Sequence, residues 1–93
     1  MITYADMLNI YKKVRSMNAK AFFILKGTKY KLAINRYIHA IDEESKRVPW
    51  GKAFGPKLPH DVLNTFPVLE IKLLKDNEVI TFKNIAEFLK WIR

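Results

Sequence analysis

Two histidines and one acidic run are the side chains that could support acid–base or metal chemistry. His60 directly precedes Asp61, but neighbouring residues on a turn rarely face each other, and His39 has no acidic neighbour. The acids at 42–44 stand beside two basic residues, which is typical of a solvated turn. The sequence lacks glycine-rich phosphate loops, nucleophile elbows, zinc-protease motifs and EF-hands. We therefore expect no catalytic residue, metal site or cofactor, and a protein that is not an enzyme.

A stronger pattern combines positive charge with aromatic rings. Residues 7–41 hold eight basic and no acidic residues, while the rest of the chain is balanced, so this window carries the formal net charge of +8. Lysine and arginine bind phosphates through charge and counterion release, whatever the base sequence. Exposed aromatic rings stack on unpaired bases, and single-strand binders use both features together. The pattern predicts contact with DNA or RNA through the phosphate backbone.

The predicted nucleic-acid contacts come from helix 3–18, hairpin 20–41 and segment 46–57. They are Lys12, Lys13, Lys26, Lys29, Lys31, Arg36, Tyr37, Lys46, Arg47, Trp50 and Lys52. We expect these side chains to converge into one continuous positive surface. Two simpler interpretations stay open: the hairpin lysines could protect a strand edge, and Trp50 could anchor its own loop.

A second hypothesis is a protein-interaction module that regulates or inhibits a larger protein. Segment 48–67 contains all four prolines and two of the three glycines, and it is too aromatic for a disordered linker. Because aromatic residues concentrate binding energy, the predicted protein contacts are Trp50, Phe54, Lys57 and His60. In composition the chain resembles the small lysine- and isoleucine-rich proteins of viruses and mobile elements, which implies a viral accessory role under this hypothesis.

A third hypothesis is a homodimer, formed through an unpaired strand edge or an apolar sheet face that few helices can cover. The length of 93 residues predicts one compact domain, 1–93. The absence of cysteine fits a reducing cytoplasm, and no apolar run reaches the roughly 20 residues that a membrane helix needs. The N-terminus lacks the residue order of a signal peptide. We therefore expect a cytoplasmic protein without a membrane segment.

The first half of the chain must supply the elements that position the cations. Thr3 and Asp6 have capping-box spacing at the start of a helix over 3–18. Residues 20–41 predict a hairpin with a two-residue turn at Gly27-Thr28, in a register that pairs Ala21 with Ile34 and Phe23 with Leu32. Its second strand is expected to reach Ile41, although residues 34–47 also fit a helical period. That strand would place Tyr37 on the same face as Lys31 and Phe22, while Phe22 itself is expected in the core.

The second half predicts a long irregular connection over 48–67, with one helical turn at His60–Asn64. A second hairpin follows, Val68–Leu74 with Val79–Phe82 around Asp76-Asn77, and it pairs Leu73 with Ile80 and Ile71 with Phe82. Asn84 then caps a C-terminal helix. The predicted fold class is α+β. It has an N-terminal helix, two antiparallel β-hairpins joined by a long Pro/aromatic loop in one sheet, and a C-terminal helix, with the helices on one face.

Overall fold

The computed structural model describes all 93 residues as one antiparallel sheet of six strands with four helices. The helices are α1 (Tyr4–Ser16), α2 (Trp50–Phe54), α3 (Pro59–Thr65) and α4 (Ile85–Ile92). The strands are β1 (Lys20–Leu25), β2 (Lys31–Ile34), β3 (Ile38–Ile41), β4 (Arg47–Val48), β5 (Val68–Lys75) and β6 (Glu78–Phe82), in the order β4-β3-β2-β1-β5-β6. The α+β class with terminal helices is as predicted. None of the four helices has the length and apolar character needed to cross a bilayer.

Helix α1 begins at the predicted capping box. The Thr3 hydroxyl accepts from the Asp6 backbone N–H at 3.0 Å, and the Asp6 carboxylate accepts from the Thr3 N–H at 3.0 Å. The backbone hydrogen bond from Thr3 lowers the pKa of Asp6, because it favours the charged carboxylate. The helix ends before Asn18, whose φ of 54° is left-handed. Both ends of α1 are therefore encoded locally.

The first hairpin has the predicted register but a different connection. Ala21 pairs with Ile34 and Phe23 with Leu32. The prediction of a two-residue turn is wrong, because β1 ends at Leu25 and β2 begins only at Lys31. The Lys26 N–H donates instead to the Pro67 carbonyl at 2.9 Å, so the end of β1 bonds toward β5 rather than closing the turn.

The expected long strand to Ile41 is also wrong. Strand β2 ends at Ile34, residues 35–37 turn, and β3 folds back so that Ile34 pairs with Ile38. The Tyr11 hydroxyl of α1 donates to the Arg36 carbonyl at 2.8 Å and holds this turn against the helix. Folding back gives Ile34 and Ala40 buried positions in the core, and β4 adds a further strand. The sheet therefore has six strands instead of four.

Segment 48–67 is more regular than predicted, because it contains α2 as well as the expected helical turn after Pro59, which is α3. Gly55, at φ 63°, ends α2 in a conformation that side chains disfavour. The Trp50 indole N–H then donates to the Lys57 carbonyl at 2.8 Å, which folds the segment back on itself. Phe54 lies in the core at 5% exposure.

The second hairpin agrees with its prediction. Leu73 pairs with Ile80 and Ile71 with Phe82. The turn residues Asp76-Asn77 have φ values of 51° and 64°, the left-handed pair that a type I′ turn requires. Asparagine and aspartate tolerate this conformation better than other residues with side chains, so the turn sets the register.

Helix α4 completes the core. The Asn84 side chain accepts from the Glu87 backbone N–H at 2.8 Å, as its predicted cap role requires. Phe88 is fully buried, with its ring centroid 5.1 Å from that of Phe82 and 5.8 Å from that of Phe23. This aromatic cluster joins α4 to β1, in the middle of the sheet, and to β6, at its edge.

All four helices pack on the same side of the sheet. The core combines residues of each helix with one alternating set of strand residues, such as Ala21, Phe23 and Leu25 in β1. Successive strand residues point to opposite faces, so the intervening side chains project away from the helices. Ala33 and Ile41 are buried yet lie outside the core cluster, because they belong to this second face. One face of the sheet is therefore not covered by helices.

Candidate functional site

We call the sheet surface that points away from the helices the open face. Its members follow from the strand registers and the alternation of side chains. They are Lys20, Phe22, Ile24, Lys31, Ala33, His39, Ile41, Arg47, Glu70, Lys72, Leu74, Val79 and Thr81. The centre of the open face is apolar, with Phe22, Ile24, Ala33 and Ile41, and its charged side chains surround that centre.

The centre of the open face is a shallow cavity over β1. Phe22 and Ile24 are half-buried in its floor, and Ile41 is 4% exposed. Lys31 and Lys72 line the same cavity of about 210 Å³, which Ser45 completes as a sixth lining residue. One aromatic residue, two aliphatic residues and two lysines thus line one concave space.

The two lysines lie on either side of β1, at positions two residues apart along it. Phe22 pairs with Lys72 on β5 and with Ala33 on β2, so Lys31 lies two residues farther along β2, level with Ile24. Neighbouring strands are about 4.8 Å apart, so the backbones of β2 and β5 are separated by roughly 10 Å. A ligand that extends along β1 over Phe22 and Ile24 can therefore meet a positive charge on each flank.

Cations outnumber carboxylates on the open face. Lys20, Lys31, Arg47 and Lys72 belong to it, and Glu70 is its one acidic residue. The ion pairs of the structure are Lys46–Glu44 and Lys75–Asp76, and His60 lies 3.4 Å from the Asp61 carboxylate. None of these contacts uses an open-face cation. The four basic side chains are therefore available to an external anion.

One wall of the cavity comes from the β3–β4 turn. The Asp42 carboxylate accepts from the backbone N–H groups of Lys46 at 3.0 Å and Glu44 at 2.9 Å. The hydrogen bond from the Lys46 backbone is the main cause of the lowered pKa of Asp42. These bonds close the turn, and Ser45, with a φ of 63°, lines the cavity beside Ile41. Asp42 serves the turn and is not a member of the open face.

The prediction of one continuous positive surface is wrong. Lys31 and Arg47 lie on the open face, whereas Lys12 and Lys13 are exposed on α1, in the helical layer on the other side of the sheet. The α1 lysines line a groove of about 410 Å³ between α1 and α4, where Asp6 is also present. The sheet separates these two groups of cations.

Other predicted cations lie next to acidic side chains. Lys29 and Lys52 line a cavity of about 210 Å³ together with the acids of the 42–44 run. The Lys46 amino group is 3.5 Å from a Glu44 carboxylate oxygen, in a pair that is about three-quarters exposed. Lys26 is exposed in the 26–30 connection. These lysines compensate nearby carboxylates or stand apart from the open face.

The two predicted aromatic contacts, Tyr37 and Trp50, lie in different elements and outside the open face. Tyr37 is 58% exposed but lies in the 35–37 turn beside Arg36, so its placement in a strand with Lys31 and Phe22 is wrong. Trp50 is half-buried, and its ring centroid lies 4.9 Å from that of Phe54. Its hydrogen bond to the Lys57 carbonyl confirms the alternative that Trp50 anchors its own loop.

The predicted protein contacts in 48–67 are largely used within the fold. Phe54 is a core residue, so its prediction as a surface anchor is wrong. His60 is half-buried, 3.4 Å from the Asp61 carboxylate and with its ring 5.9 Å from the ring of Tyr4. Lys57 is half-buried and offers its carbonyl to Trp50. No group of three or more histidine and carboxylate side chains converges as a metal site would require.

Sequence reasoning missed Phe22, Ile24, Lys20 and Lys72 as site residues. The apolar run around Phe22 indicated a strand buried on both faces, but the structure leaves one of those faces without a helix. The alternation Lys20-x-Phe22-x-Ile24 and the polar positions Glu70 and Lys72 are the signals that could have identified this face.

Comparison with models of protein families, with curated proteins and with solved structures gives no match.

Proposed function

We propose that this protein binds single-stranded nucleic acid on its open face, without catalysing a reaction. The observation that carries the proposal is that half-buried Phe22 lines one cavity together with Lys31 and Lys72. An unpaired base can stack on an aromatic ring, while the phosphates on either side meet the lysines. Lys20 and Arg47 extend the positive charge beyond the cavity.

The shape of the open face favours single strands over duplexes. In a duplex the bases are stacked on each other, and the major groove admits a helix or a two-stranded ribbon, not the face of a six-stranded sheet. Single strands can turn unpaired bases outward into a shallow cavity on a protein surface. The apolar floor formed by Phe22, Ile24 and Ile41 suits a base better than a small inorganic anion.

The alternative, a regulator that binds a protein partner through segment 48–67, receives less support. Two of its four proposed contacts, Trp50 and Phe54, pack against each other within the fold. A surface anchor must reach a pocket on the partner, which a residue such as Phe54 at 5% exposure does not do without unfolding the segment.

A titration of the wild-type protein tests the proposal. Fluorescein-labelled 12-nucleotide strands, single and annealed, are followed by fluorescence anisotropy at several salt concentrations. We expect tighter binding to the single strand, with the logarithm of affinity falling against the logarithm of salt by about 0.7 for each phosphate contact. Two to four engaged cations give a slope of roughly −1.4 to −2.8.

A charged polymer without bases provides the control for simple attraction between opposite charges. Polyphosphate should compete poorly with the labelled strand, since it has nothing to stack on Phe22. The proposal fails if no anisotropy change occurs at 20 mM salt, if the duplex binds as tightly as the single strand, or if polyphosphate displaces the strand as efficiently as an unlabelled oligonucleotide does.

A further inference from the structure

The two edges of the sheet are protected to very different degrees. At one edge, β4 is only two residues long, contains Arg47 and is followed by Pro49. Short length, positive charge and proline are the features that prevent an edge from pairing with another chain. At the other edge, β6 has five residues, Glu78–Phe82, with no lysine, arginine or proline, and it pairs with β5 without a bulge. Strand β6 is therefore an open pairing edge.

The outward backbone groups of β6 can be identified from its hairpin. Lys75 pairs with Glu78 across the two-residue turn, which closes with hydrogen bonds between those two residues. Because bonding alternates along an antiparallel pair, Ile80 and Phe82 also bond toward β5. The N–H and C=O groups of Val79 and Thr81 then point away from the sheet.

Apolar side chains border the same edge. Val79 is 60% exposed, and Leu74, its partner on β5, is 37% exposed. On the helix side, Trp91 is 42% exposed, with its ring centroid 5.3 Å from that of Phe82. A strand added to β6 would cover apolar surface on both faces of the sheet, besides satisfying the free backbone groups.

We propose that β6 pairs antiparallel with β6 of a second copy of this chain, about a twofold axis at Ile80. This register places Val79 opposite the partner subunit's Thr81, so the residues with outward backbone groups meet and each pair can exchange two hydrogen bonds. A shift by one residue would place outward groups opposite inward ones and would mix the two faces.

The charges at the two ends of β6 favour this partner. Glu78 begins the strand and Lys83 directly follows it, so antiparallel pairing places the acidic end of each strand near the basic end of the other. The two side chains leave the strands on opposite faces of the sheet, so this is an attraction between strand ends and not a direct ion pair. The twofold axis stands perpendicular to the sheet, and the open faces of both copies therefore lie on the same side. The dimer does not depend on nucleic-acid binding, and either proposal can fail alone.

Sedimentation velocity of nuclease-treated protein, from 1 to 200 µM, tests the dimer and its register. Val79→Lys/Thr81→Lys places like charges opposite each other in both symmetric pairs, and we expect its dimer dissociation constant to rise about tenfold or more. Val79→Lys/Thr81→Glu places a lysine opposite a glutamate in the same two pairs. It should retain a dimer within about threefold of the wild-type constant.

Circular dichroism confirms that each variant is folded before it is compared. A wild-type protein that stays monomeric at 200 µM overturns the proposal. A dimer that the two-lysine variant leaves unchanged also overturns it, because the contact must then lie elsewhere. Equal loss of the dimer in both variants contradicts the register, since charge pairing would have failed to restore it.

Discussion

Lys31→Glu/Lys72→Glu is expected to weaken binding to a single-stranded oligonucleotide by at least about 25-fold at 0.1 M salt. Each phosphate contact on a single strand contributes about 0.7 to the salt slope, so two lost contacts correspond to roughly 1.4 logarithmic units at this concentration. Both lysines line the cavity over Phe22, and charge reversal adds repulsion to the lost attraction. Fluorescence anisotropy measures the change, and the salt slope should fall by about 1.4.

The matched control is Lys12→Glu/Lys13→Glu, which makes the same change in net charge on α1, across the sheet from the open face. We expect it to alter affinity by less than about threefold, because screening at 0.1 M salt acts over about 10 Å. Phe22→Leu keeps the floor apolar but removes the ring, and should cost about fivefold or more through lost stacking. Equal losses in the two charge-reversal variants would show that affinity follows total charge and not the open face.

Phe88→Ala is expected to destabilise the fold by about 3 to 5 kcal/mol, the usual cost of removing a buried phenylalanine. Phe88 is fully buried and contacts the rings of Phe23 and Phe82, so the vacated volume lies where α4 meets both halves of the sheet. Since small domains are stable by only about 5 to 15 kcal/mol, this is a large fraction of the total. The midpoint of thermal unfolding should fall by at least about 12 °C.

Two variants of the same helix serve as controls for Phe88→Ala. Phe88→Leu retains most of the volume and should cost less than about 1.5 kcal/mol. Lys90→Ala changes an exposed side chain and should stay within about 0.5 kcal/mol of the wild type. Urea unfolding gives the free energies. A loss for Phe88→Ala no larger than that for Lys90→Ala would contradict the placement of this ring in the core.

Structures encoded by neighbouring residues were predictable from the sequence. The Thr3–Asp6 capping box, the Asp76-Asn77 turn and the Asn84 cap each depend on hydrogen bonds or φ angles within a few residues. The registers of both hairpins follow from the alternation of their apolar residues. The break in the predicted long strand was not predictable in this way, because the 35–37 turn is held from outside by Tyr11 of α1.

The candidate site was only partly predictable, because it depends on which face of the sheet the helices cover. Lys31 and Arg47 were identified from charge, but charge alone could not separate them from Lys12 and Lys13 on the other side. Phe22 looked like a core residue, since its neighbours in sequence are apolar on both faces of the strand. Only the positions of four helices on one face show that its ring is accessible.

Backbone amide shifts of ¹⁵N-labelled protein, recorded as a single-stranded oligonucleotide is added, show which surface of the protein binds the strand. We predict that the largest changes occur in β1, β2 and β5, at Phe22, Ile24, Lys31 and Lys72, while the amides of α1 around Lys12 and Lys13 stay nearly unchanged. Changes concentrated on α1 or on segment 48–67, with the middle strands unaffected, would contradict it.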